Sequence, residues 1–256
     1  MTFEQTLPPV EPAAEPVPPE DRTPWGYADM AMAIGIVIGS LVVISIPIIV
    51  IVSAFAGGNL EDGSDAERAL EVGISFLLEG VLLLVAAMFS IGKYKLSWSA
   101  LGLRTPERGG YWFQIPLFFA ALAVFGAYVA IITALGVDAE GNVPEDAFDS
   151  TVLIVFLGVL SLGLAPFMEE VFFRGFLFGG LRGRWGLVGA AFASGLLFAA
   201  AHFSGLSTLP LLPVIGIIGI LFAWGYYYTG SLFAPILAHF LFNLMSFLVG
   251  LLGATG

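Results

Sequence analysis

A few charged, imidazole or amide side chains stand deep inside stretches that are otherwise apolar: Glu169, Glu170 and Arg174 in one, His202 in the next, His239 with Asn243 in the last. Glu79 lies in an earlier stretch, and the two histidines of this set are the only 2 in the chain. Ionisable groups in membrane segments cost roughly 2.5 to 3.5 kcal/mol each on insertion scales, which makes them functional candidates. Hydrolysis needs a base to activate water and donors to hold the developing oxyanion. Glu169 with His202 can position and deprotonate a water, and His239 with Asn243 can donate to a tetrahedral oxygen. Glu169, His202 and His239 equally form a zinc set, because two His, one Glu and a water recur in zinc hydrolases. Spacing does not separate these two readings. Glu170 and Arg174, at i and i+4, are spaced as a helical ion pair and are expected to support the structure. Glu79 is left with three options: pairing with Arg174, lining a water path, or packing.

These residues can meet only if the elements bring them to one depth. Glu169 lies about 16 residues before the Gly183–Gly186 stretch and His202 about 16 after it, so an antiparallel pair places both roughly 24 Å from the turn at 1.5 Å per residue. His239 and Asn243 share a helix face and sit roughly 12 to 18 Å from the turn at Thr229–Gly230 by the same rise. All four are expected to line one cavity. Gly175 with Gly179, or Gly189 with Ala193, offer places for close helix approach.

The chain has 256 residues, of which 58% are hydrophobic and 11% charged, with mean hydropathy +0.95. A typical soluble domain is roughly a quarter charged, so the polar surface here is too small for a water-soluble globule. Seven apolar segments, near 28–57, 70–92, 112–135, 151–181, 187–203, 210–228 and 231–253, each suit a membrane helix. The fold class is therefore an all-α, polytopic transmembrane bundle of about seven to eight helices. The fourth segment exceeds one bilayer span, and Gly163 with Pro166 predicts a break there. Residues 1–24, rich in Pro and acids, read as a disordered tail and not as a cleaved signal peptide; 25–256 read as the transmembrane domain.

The net charge of −11 comes from acids in the tail and loops, and without basic patches the chain is not a nucleic-acid binder. With 0 cysteines it has no thiolate nucleophile and no disulfide. Lys93, Lys95, Arg104 and Arg108 follow the second segment and Arg182 and Arg184 the fourth, which predicts a cytoplasmic N-terminus in a multi-pass protein of a prokaryotic plasma membrane.

Three motifs carry a resemblance. Glu169-Glu170-Val-Phe-Phe-Arg174 resembles the EExxxR motif of the CAAX prenyl endopeptidase family, also called the CPBP or Abi intramembrane proteases. Phe198-Ala-Ala-Ala-His202 resembles its FxxxH motif and His239-Phe-Leu-Phe-Asn243 its HxxxN motif, all in order over about 151–250. The resemblance implies an intramembrane endopeptidase with Glu169 as catalytic glutamate, His202 as its partner around the water, and His239 with Asn243 as the oxyanion pair. Glu170 and Arg174 carry over as the rest of the first motif. Family members are labelled metalloproteases, yet the best-studied branch is thought to be metal-independent; the expectation here is no cofactor, with zinc as the alternative. Membrane lipid and a peptide or membrane-protein substrate are the implied partners. HExxH, GxGD and GxSG, the marks of other intramembrane proteases, are missing. The other function class weighed is a non-catalytic membrane protein on the same scaffold, of bacteriocin-immunity or transporter-like type.

Overall fold

The computed structural model describes residues 23–55, 65–137 and 150–254. All but the last two residues of the expected tail lie outside them. The described residues form helices and loops with no strand. In chain order the helices are α1 (Tyr27–Phe55), α2 (Asp65–Ala87), α3 (Gln114–Ala134), α4 (Thr151–Gly158), α5 (Ala165–Glu169), α6 (Gly179–Ala201), α7 (Leu212–Thr229) and α8 (Phe233–Ala254). Among the described residues six stretches are long and apolar enough to cross a membrane, one of them the 51-residue run Thr151–Ala201. Exposed apolar side chains such as Val43, Val188 and Phe192 cover the outside. In a bilayer this surface faces lipid tails.

The long run turns once, at Gly186, whose φ of 69° and ψ of −177° interrupt α6. A side chain is strongly disfavoured in that conformation, so glycine is what lets the helix reverse there. The turn falls at the end of the Gly183–Gly186 stretch expected to join the fourth and fifth segments. Between Thr151 and Trp185 the chain stays helical, and the break expected near Pro166 is instead a widening. Val159–Leu164 and Glu170–Phe178 carry π-type hydrogen bonds on either side of the one-turn α5. Pro166, at the start of α5, has no N–H to give the ladder, and a wider turn accommodates the missing bond and the proline ring without breaking the helix.

Packing centres on the second π stretch, where all nine residues from Glu170 to Phe178 are buried. α2, α6, α7 and α5 pack around it. α6 and α7 approach each other closely. A Cβ built on Gly195 would lie 2.7 Å from the Gly216 carbonyl oxygen, and one on Gly219 would lie 3.0 Å from the Gly195 Cα. Of the glycines expected to allow contact, Gly175 does so, with a Cβ position 2.7 Å from the Leu101 carbonyl oxygen. A Cβ on Gly189 would meet only Trp185 of its own helix.

One end of the bundle is tied by polar contacts. Asp29 accepts from the Gly26 N–H, from Tyr94 and from Lys93. The Trp25 indole donates to the Phe176 carbonyl at 2.9 Å, and the Arg104 Nε donates to the Gly230 carbonyl at 2.7 Å. The backbone N–H groups of Glu107 and Leu232 bond to Thr229 and Gly102 carbonyls at 2.8 Å each. The loop after α2, the start of α1, the region before Gly186 and the α7–α8 turn thus meet at the same end.

Candidate active site

Glu170 and Arg174 are fully buried, and the Arg174 Nη1 donates to the Glu170 Oε1 at 2.9 Å. The guanidinium carbon also lies 4.1 Å from the centre of the Phe198 ring, with Phe222 and Phe173 at 5.7 and 5.9 Å, and Nη2 reaches the Gly219 carbonyl at 3.4 Å. A cation taken this far from water needs such an enclosure: one full counter-charge, a carbonyl and aromatic faces. The absence of a Cβ on Gly219 contributes, since that atom would sit 3.2 Å from Nη2.

The same Glu170 Oε1 meets the His239 Nδ1 at 3.0 Å. A carboxylate only accepts, so Nδ1 carries the proton, and in a neutral ring Nε2 is the acceptor. That Nε2 stands 3.9 Å from the Glu169 Oε2. Glu170 was expected only to support Arg174; it also fixes the orientation of His239. The two adjacent carboxylates therefore have different partners, Glu170 an arginine and a histidine, Glu169 the far side of that histidine.

His202 follows α6 as its C-terminal cap, and its Nδ1 donates to the Phe198 carbonyl at 2.9 Å, so a neutral ring again offers Nε2 as acceptor. The Phe198 ring lies 4.5 Å from the His202 ring and 5.9 Å from the His239 ring, centre to centre. The phenylalanine of the second motif thus touches both histidines and Arg174. Asn243, one turn beyond His239, donates from Nδ2 to the Ser161 carbonyl at 2.8 Å. That carbonyl belongs to the first π stretch, so the widened turn and the third motif are in direct contact.

Glu79 reaches the site from α2 and hydrogen-bonds to Glu169. The carboxylate partner replaces the Arg174 pairing considered from sequence, since Arg174 is engaged by Glu170 and Gly219. One oxygen of each acid, Oε2 in both Glu79 and Glu169, is buried without a hydrogen-bond partner. Sequence reasoning also passed over Ser161, Gly219 and Phe222, whose roles depend on contacts between distant segments and leave no signal in spacing.

Zinc needs three protein ligands on one ion. Among the described residues no group of three His, Cys, Asp or Glu is gathered that could hold a metal.

Neither the curated proteins nor the solved structures compared hold a match to the chain. A family model does match, the Rce1-like type II CAAX prenyl endopeptidase, over residues 151–245. That stretch holds the Glu169–Glu170–Arg174, His202 and His239–Asn243 groups together with both π turns. Over this stretch the chain is similar to the CAAX prenyl endopeptidase family.

Proposed function

We propose that the domain hydrolyses peptide bonds within the membrane, with Glu169 as general base. The observation that carries this reading is the Glu169 Oε2, buried without a hydrogen-bond partner and 3.9 Å from the His239 Nε2. Two acceptors that far apart can both lie about 2.8 Å from a single oxygen, the range of an O–H···O bond. A reacting water held there gives its proton to Glu169 as its oxygen attacks the carbonyl carbon. The water's second O–H is held by the His239 Nε2, Asn243 donates to the oxyanion, and His202 is assigned as the partner of Glu169 around the water. When the C–N bond breaks, the proton on Glu169 passes to the leaving amine and the acid is again ionised. His239 is suited to this because Glu170 holds its Nδ1–H and leaves Nε2 turned toward Glu169.

The substrate in this reading is a peptide or membrane-protein segment, with the prenylated CAAX terminus named by the family description as the first to try. No step in this reading is assigned to a metal, and zinc is the alternative that the chelation experiment below tests. We further read the chain as a multi-pass protein of a prokaryotic plasma membrane with its N-terminus in the cytoplasm.

Cleavage of a quenched fluorescent, farnesylated CAAX peptide by purified protein in vesicles tests the reaction. The parent protein should cut it, and activity should survive dialysis against a chelator. Loss of turnover on chelation, restored by zinc, would replace the base assignment with a metal mechanism.

A further inference from the structure

Glu170 and Glu169 stand near the Arg174 guanidinium in the bundle interior, and Glu79 in turn meets Glu169. Titratable groups near the Glu79–Glu169 pair include Glu170 and Arg174 from the second π stretch and His239 from α8, with His202 at the end of α6 assigned to the same site. Arg174 is committed to Glu170 by a direct hydrogen bond. Two ionised carboxylates in hydrogen-bond contact repel and have no donor between them, so the contact itself requires one proton.

The surroundings say which acid holds it. Glu169 adjoins His239 and the arginine pair, where a negative charge is offset. Glu79 lies on the other side. It continues a stripe of α2 in which Val72 and Phe76 precede it at i−7 and i−3, and these two line an apolar cleft closed opposite by Leu153, Phe156 and Leu160. The Glu79 Oε2 is buried without a hydrogen-bond partner, so a charge on this acid would be held in the apolar interior at high cost.

We propose that Glu79 is the proton-bearing partner of Glu169: as the neutral acid it donates to one Glu169 oxygen and leaves the other aimed at the space beside His239. Glu79 is then a positioning residue. Its proton is not consumed in the reaction, and its hydrogen bond fixes the rotamer of the base and keeps that base ionised. This assignment gives the two acids opposite states, as paired carboxylates with unequal environments take elsewhere. The catalytic half of the inference rests on Glu169 acting as the base; the location of the proton does not.

Infrared spectroscopy of the purified full chain in vesicles at neutral pH reads the proton directly. The parent should show the carbonyl stretch of a buried protonated carboxyl. Glu79→Gln should remove that band, and Glu169→Gln should leave it but move it, because a charged acceptor has become a neutral one. No band in the parent, a band that survives Glu79→Gln, or a band removed by Glu169→Gln would overturn the proposal. The farnesylated peptide supplies the second readout. Glu79→Leu, an apolar change that the membrane accepts, should lower kcat on the order of 10- to 100-fold with little effect on KM. Glu79→Gln, whose amide N–H can donate in the acid's place, should recover most of that loss. Full activity of Glu79→Leu in a protein that melts normally would refute the positioning role. Retained activity of Glu169→Gln would instead refute the base assignment, while the infrared result would stand alone.

Discussion

Glu169 and Glu170 are neighbours in sequence with the same chemistry, and what separates them is what each touches. Glu169→Gln keeps shape and hydrogen-bonding capacity but removes the proton acceptor, and general-base losses are typically about 10²- to 10⁴-fold. Turnover of the farnesylated peptide should fall in that range, while the melting temperature in detergent changes little. Glu170→Gln has a double consequence, because one oxygen serves both Arg174 and His239. Breaking a buried pair costs about 3 to 5 kcal/mol when the remaining charge is stranded, so expression or melting temperature should drop. Activity should drop too, since His239 loses the acceptor that orients it. Adding Arg174→Gln removes the orphaned cation and should recover part of the stability but none of the activity. If the double variant regained turnover together with stability, the His239 contact would be incidental.

At the level of helices, the α6–α7 crossing holds Arg174 against its carbonyl and rings, and it depends on glycine. Gly195→Ala would place a methyl 2.7 Å from the backbone oxygen of Gly216, and backbone cannot swing aside as a side chain can. Overpacking of this kind costs typically about 1 to 3 kcal/mol, so the variant should melt lower and lose activity as Arg174 shifts. Gly126→Ala on α3 is the control: nothing lies within 4 Å of its Cβ position, and helix propensity favours alanine by about 0.8 to 1 kcal/mol. It should melt at or above the parent temperature; a fall there equal to that of Gly195→Ala would mean that the crossing is not special. The helices themselves were legible in the sequence, because hydropathy and length report membrane spans directly, and the reversal fell where Gly183 to Gly186 promised it. Pro166 was legible only as a disturbance. Whether a proline breaks a helix or widens it depends on neighbours that absorb the freed carbonyl, and those come from the fold. Glu170 with Arg174 could be paired from i,i+4 spacing, whereas Glu79 could not be assigned to Glu169, since the packing of α2 on α5 leaves no periodic trace. For the same reason the glycines of the close crossing, Gly195, Gly216 and Gly219, were not the ones their spacing suggested.

Over the whole molecule, charge is distributed by end. Of the 9 Lys and Arg residues, Lys93, Lys95, Arg104 and Arg108 after α2 and Arg182 and Arg184 just before the Gly186 turn belong to the segments that converge at one end, where α1 also begins. There Lys93 has its ammonium pKa raised by the hydrogen bond to Asp29 and by that carboxylate's charge, so this cation persists to high pH. Positively charged loops of this length tend to stay on the cytoplasmic side, which is the ground for the proposal that this end faces inward. Because the chain has 0 cysteines, single cysteines report topology without background. Ser97→Cys, exposed in the cationic loop, should be protected from a membrane-impermeant maleimide in intact cells and should react once the cells are opened. Val137→Cys, exposed just beyond α3 at the opposite end, should react in intact cells. The reverse labelling pattern would invert the orientation, and with it the side from which Glu169, roughly 24 Å of helix from the Gly186 turn, is to be approached.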